Sequence, residues 1–235
     1  VRSGLRLAAR RVHERAPLSV VVLIEQGLRV VALLALIRLF AGVFHVARQL
    51  HAPYGWSTAA LVVAGLTLGG SGLLALRERD PRRLLHLTGA AVAGWCLLAV
   101  TAAANFYAHA QSHARALTVV DHHEWGLQSG DHAIAAALTL AFAHALAALG
   151  LLAALAALGD PPPGRGTLTF RGLARARAAL ALAVALLILA LLGLPPALTF
   201  AARLDLLAAL VIDTNPAFRL LAALALLSTL PLTLA

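Results

Sequence analysis

The amino-acid sequence predicts an all-α fold, a polytopic membrane helix bundle of about six transmembrane helices with one of them broken at Pro195-Pro196. Composition is the first reason. With 61% hydrophobic and 12% charged residues over 235 positions, and a mean hydropathy of +0.86, the chain carries too little polar surface to coat a soluble globule. The second reason is the length of the apolar stretches, each of which reaches the roughly 20 residues that cross a bilayer. The third is the placement of arginine, which alternates between rich and poor connections as membrane insertion demands.

From the N-terminus, Val1 to Glu14 is arginine-rich and lacks the apolar core and small-residue cleavage site of a secretory signal, so insertion is expected through the first helix. Leu18 to Val46 forms that first span, introduced by Ala16-Pro17 and holding Glu25, Arg29 and Arg38 in apolar surroundings. Ser57 to Leu76 is the second, and its run Gly65 to Gly72 of mostly small residues suits close helix packing. Leu84 to Tyr107 and Ala133 to Leu158 are the third and fourth. Leu173 to Ile212 is too long for one straight crossing and contains Leu194-Pro195-Pro196. Two consecutive prolines remove two backbone donors and disfavour the helical conformation at Leu194, so the fifth helix must break there. Ala217 to Leu234 is the sixth. Residues 1–235 read as one domain, with a His-rich extracytoplasmic loop at 109–132 and a cytoplasmic Pro/Gly loop at 159–172.

Orientation follows from the arginines between the spans. The N-terminal tail carries Arg2, Arg6, Arg10, Arg11 and Arg15, the second loop Arg77, Arg79, Arg82 and Arg83, and the fourth loop Arg165, Arg171, Arg175 and Arg177. The intervening loops carry only Arg48 and Arg115, and the turn Asp213 to Pro216 none. Positive-inside sorting of six crossings gives this alternation with both termini cytoplasmic, whereas counting the broken helix as two crossings puts the arginine-free turn inside, a worse fit. The +9 charge is accounted for as a topology signal, and no nucleic-acid partner is expected. A single cysteine, Cys96, excludes an internal disulfide framework.

Four charged residues within the apolar spans are candidates for a proton path: Glu25, Arg29, Arg203 and Asp205. Ionisable side chains at membrane depth mark functional sites by default, and a broken helix is tolerated there only against protein or water. Glu25 precedes Arg29 by four residues, the spacing and order at which a carboxylate and a cation meet on one helix face, either as a gated charge site or as a neutralised pair. Asp205 lies two residues beyond Arg203, hence on a different helix face. Arg38 and Arg219 lie near span ends and are expected to snorkel.

The loop 109–132 concentrates His109, His113, His122, His123 and His132 with Asp121, Glu124 and Asp131. Asp121-His122-His123-Glu124 has no metal-ligand spacing, so no metal is expected and His122 and His123 stand only as weak candidates. No motif for NADH, flavin, iron–sulfur or haem is present, and no cofactor is expected.

Four ordered stretches carry a resemblance. Glu14-Arg15-Ala16-Pro17 followed by Arg29 and Arg38-Leu39, then Leu76-Arg77 through Asp80-Pro81-Arg82-Arg83-Leu84-Leu85 to Gly94-Trp95, then His144-Ala145-Leu146-Ala147-Ala148-Leu149-Gly150, and finally Leu194 to Leu204, are similar to successive motifs of the antiporter-like membrane subunits of complex I, most closely the C-terminal half of subunit N of bacterial NADH:quinone oxidoreductase. The resemblance covers roughly Val12 to the C-terminus. It implies a multi-pass protein of the bacterial inner membrane, with other membrane subunits of a complex I-like assembly and the lipid bilayer as partners and quinone met only through the complex.

The departures are informative. The family's earlier helices, which carry half of its intramembrane charges, have no counterpart here, and the tyrosine, serines and histidine of its third motif are replaced by Leu87, Thr88, Gly89 and Val92. At both intramembrane lysine positions of the resembled stretch there is arginine, Arg29 and Arg203. A buried lysine sheds its proton within working range, whereas arginine keeps its proton. The two arginines therefore suit fixed positive potential, water ordering or a carboxylate clasp better than a relay. All nineteen basic residues are arginine, so coding bias is an equally good account of the exchange. The resemblance implies a membrane-arm subunit contributing to or scaffolding proton translocation coupled to quinone reduction, at most a non-redox part of the enzyme. The alternative is a non-catalytic assembly protein, or a fragment of a split antiporter-like subunit, with no proton path of its own.

Overall fold

The computed structural model describes residues 18–42, 55–78, 81–115, 120–158, 173–212 and 216–234. Among them the secondary structure is helical throughout, as α1 (Leu18–Gly42), α2 (Trp56–Ala75), α3 (Pro81–Arg115), α4 (Val120–Leu158), α5 (Leu173–Ala176), α6 (Ala178–Leu192), α7 (Leu198–Ile212) and α8 (Pro216–Leu234). Among the described residues three stretches are long and apolar enough to cross a membrane, Trp56–Ala75, Arg83–Ala108 and Ser129–Ala154, with shorter apolar helices at Ala178–Leu192 and Phe218–Leu227. The polytopic helix bundle is thus present.

Two expectations are corrected. Residues 109–132, read as a loop, are largely helix: α3 runs on to Arg115 and α4 begins at Val120, leaving only 116–119 between them outside the described residues. Histidine and alanine both tolerate helix, and nothing in Ala108 to Arg115 breaks it, so α3 continues past its apolar stretch. The second correction is an additional interruption at Arg177, whose φ of −148° and ψ of 75° separate α5 from α6. The loop 159–172 lies outside the described residues.

α3 is the centre of the bundle. Trp95, Cys96 and every residue from Leu98 to Asn105 are buried, so this helix is covered on all sides. A helix that apolar all round belongs in an interior. Its neighbours show one-sided burial at helical spacing. On α2 the buried positions are Ala60, Ala64, Leu68, Ser71, Gly72 and Ala75, and on α4 they include Ala133, Ala137, Leu140, His144, Ala148 and Leu151. α3 packs against α2 and α4, α1 lies on α3 and α4, α8 lies on α2, and both halves of the broken helix rest on α4.

Alanine dominates the core because helices in lipid gain little from hydrophobicity and associate through close packing instead. Hydroxyl groups inside this packing bond to their own helices: Ser71 Oγ to the Leu68 carbonyl at 3.0 Å, Thr88 Oγ1 to Leu85 at 2.9 Å, and Thr101 Oγ1 to Leu97 at 2.8 Å. Each is satisfied without calling on a neighbouring element.

Candidate functional site: a broken helix and a row of ionisable side chains

The helix break is built by a capping motif. α6 ends at Leu192, and Gly193 takes the left-handed conformation at φ 69°. The Leu194 amide donates to the Leu189 carbonyl at 2.9 Å and the Gly193 amide to Ala190 at 3.2 Å, the paired bonds of a Schellman ending. The Pro195-Pro196 bond is cis, and α7 starts at Leu198.

Two side chains from the first turns of α7 reach back across the break. Thr199 Oγ1 donates to the Ala190 carbonyl at 2.6 Å, and Arg203 Nη1 donates to the Leu192 carbonyl at 2.6 Å. Their four-residue spacing puts both on one helix face, which Ala202, Leu206 and Leu210 extend into the core. Helix endings leave carbonyls without intrahelical donors, and a guanidinium, with five donors and no acceptor, is suited to them. Gly193 also makes room: a Cβ there would run into the Arg203 guanidinium. Arg203 is only 6% exposed, and its Cζ sits 6.0 Å from the Trp95 ring centroid, within cation–π range.

Arg203 belongs to a row of ionisable side chains. His144, on the inward face of α4, is buried and feels the charges of both Arg29 and Arg203. Arg29 comes from α1 and lies on the backbone of α3 at Gly89, where a Cβ would overlap its guanidinium. Three helices therefore bring an arginine, a histidine and a second arginine together inside a bundle of alanine and leucine. Neither ring nitrogen of His144 has a hydrogen-bond partner among the described residues, nor has Arg203 Nε.

Of the four residues singled out from sequence, Arg29 and Arg203 thus converge on His144. Asp205 does not join them: it is exposed on the opposite face of α7. Glu25 lies on α1, but its side chain falls outside the described residues, and so does its expected pairing with Arg29. Arg38 and Arg219 are exposed. The side chains of His122 and His123 are outside the described residues, and those residues hold no cluster able to bind a metal ion. His144 and Thr199 were not singled out. His144 stands alone in an apolar run from Ala133 to Leu158, and an ionisable residue inside such a run is itself a signal. Thr199 leaves no comparable trace, because nothing local tells it from any other threonine.

Residues 125–229, a little under half of the chain, match the family model of the NADH:quinone oxidoreductase/Mrp antiporter transmembrane domain. This stretch is antiporter-like. No curated protein and no solved structure matches the chain. The antiporter-like match takes in His144, the break and Arg203, whereas α1 with Arg29, α2 and α3 lie outside it. It supports the antiporter-like family without distinguishing subunit N.

Proposed function

We propose that the chain is a membrane-arm subunit of a complex I-type NADH:quinone oxidoreductase or a related Mrp-type assembly, most like subunit N, that contributes to or scaffolds proton translocation. In this reading it sits in the bacterial inner membrane with both termini cytoplasmic, beside other membrane subunits of the assembly. NADH oxidation and quinone reduction belong to those partners. What supports the reading is the row of half-buried Arg29 with buried His144 and Arg203, the last two of which fall within the antiporter-like stretch. Within the row only the imidazole exchanges protons readily, because a guanidinium keeps its charge. The arginines supply fixed positive potential to it. A proton delivered to His144 therefore meets an electrostatic barrier that a neighbouring subunit's carboxylate would lower.

The hydrogen bond from Arg203 to the Leu192 carbonyl favours the second reading, a non-catalytic structural or assembly subunit, because it commits that guanidinium to holding the break. Two variants of the assembled complex separate the readings. His144→Gln keeps a polar side chain but cannot carry a proton, so it is expected to lower the proton-to-electron ratio at unchanged assembly and quinone reduction. An unchanged ratio leaves the scaffold. Purification of the chain in a complex with neither NADH:quinone activity nor ion-coupled proton exchange rules out both.

A further inference from the structure

The break between α6 and α7 lies open to the outside of the bundle. Pro195 and Pro196 are exposed, and the described residues make no hydrogen bond to either of their carbonyls. A groove of about 460 Å³ leads away from them between α4 and α6, with Phe142 and Leu146 on one wall and Leu186 and Ala190 on the other. Its end is the break itself, at Pro196, Ala197 and Leu198. Phe142 lies midway along the span Ser129–Ala154, so the groove and the break sit at the depth of the hydrocarbon.

Irregular backbone with unbonded carbonyls does not face lipid at that depth; it persists only against protein or a water-filled cavity. Water is disfavoured by the lining, whose side chains are apolar except for Thr199, and the Thr199 hydroxyl is already given to the Ala190 carbonyl. An acyl chain suits the apolar walls but brings no donor to mid-depth. A neighbouring transmembrane helix brings both, apolar side chains to fill the groove and one polar side chain to reach the carbonyls. The exposed Phe142, Leu146, Leu186 and Leu198 frame a surface for it. A second copy of the chain docked two-fold through this same face does not answer, because contact of that kind presents to each break only the side chains of the face itself, and none of them is a free donor.

We infer that the break and its groove dock a transmembrane helix of a different subunit, apolar along its length, with a serine, threonine, asparagine or glutamine near mid-span that donates to the Pro195 or Pro196 carbonyl. The inference rests on the proposed place of the chain beside other membrane subunits and is independent of whether His144 moves protons.

The test uses the full chain in its native membrane, with photoreactive p-benzoylphenylalanine replacing Phe142 or Leu198, and replacing Leu66 on α2 as an outward-facing reference. Both groove positions are expected to crosslink to the same apolar segment of one copurifying subunit, at least about tenfold more than the Leu66 position, and the segment is expected to carry one of the four polar residues near its middle. Leu146→Trp, which fills the groove from an exposed position, should release that subunit from the complex, and Leu66→Trp should retain it. If other membrane subunits copurify but the groove positions crosslink only to lipid, to a second copy of the chain or to a segment without a side-chain donor, the docking assignment alone is overturned. So it is if Leu146→Trp retains the subunit. If no other membrane subunit copurifies, the proposed function falls together with it.

Discussion

Arg203 shows how opposing effects meet on one side chain. A guanidinium at the centre of a membrane helix is unfavourable by about 2.5–3.5 kcal/mol on insertion scales. Its charged hydrogen bond to Leu192 offsets about 1.5–3 kcal/mol, and its place over Trp95 contributes about 0.5–2 kcal/mol. The balance is near zero. Arg203→Leu, which sheds the charge but orphans a buried carbonyl, is therefore expected to change unfolding stability by no more than about 2 kcal/mol, measured in detergent or bicelles. The informative exchange is Arg203→Lys, which keeps one donor and the charge while restoring a side chain able to release its proton. If the arginine holds the break, complex yield and proton-to-electron ratio both stay unchanged. A raised ratio at constant yield would show that a proton path is blocked by the guanidinium.

At the scale of elements, the break between α6 and α7 is a constructed joint. Its two parts, the Schellman ending at Gly193 and the Thr199 and Arg203 bonds, act on neighbouring carbonyls. Gly193→Ala forces a side chain into the left-handed conformation, about 1–2 kcal/mol, and drives its methyl group into the Arg203 guanidinium. Thr199→Val is nearly isosteric and removes one bond to a carbonyl that Gly193 still serves, so it should be milder, about 0.6–1 kcal/mol. Unfolding measurements on the two variants should rank them in that order. Equal effects would mean that the joint is held by packing against α4 instead.

For the whole molecule, the arginine alternation predicts that Ser112 and Thr167 face opposite sides of the membrane. Single cysteines at these positions, read with a membrane-impermeant reagent, should label from opposite sides. The native Cys96 is buried in the α3 core and gives a silent background. Labelling of both from one side would discard the proposed topology. The row of Arg29, His144 and Arg203 likewise belongs to this scale, because it draws on α1, α4 and α7 and on no single element.

The helices were legible because bilayer thickness imprints itself on apolar length, and five of the expected spans overlap α1 to α4 and α8 to within a few residues outside 109–132. The break was legible because proline cannot supply the missing donors, whatever surrounds it. The interruption at Arg177 and the helical course of much of 109–132 were not, since propensity there is weak and packing decides. Arg29 and Arg203 announced themselves as charges in an apolar field. That they converge on His144, that Asp205 turns outward, and that Thr199 shares the joint with Arg203 depend on how helices distant in sequence are rotated against each other. Residue order states which side chains share a face of one helix; only the packing of α1, α4 and α7 states which faces meet.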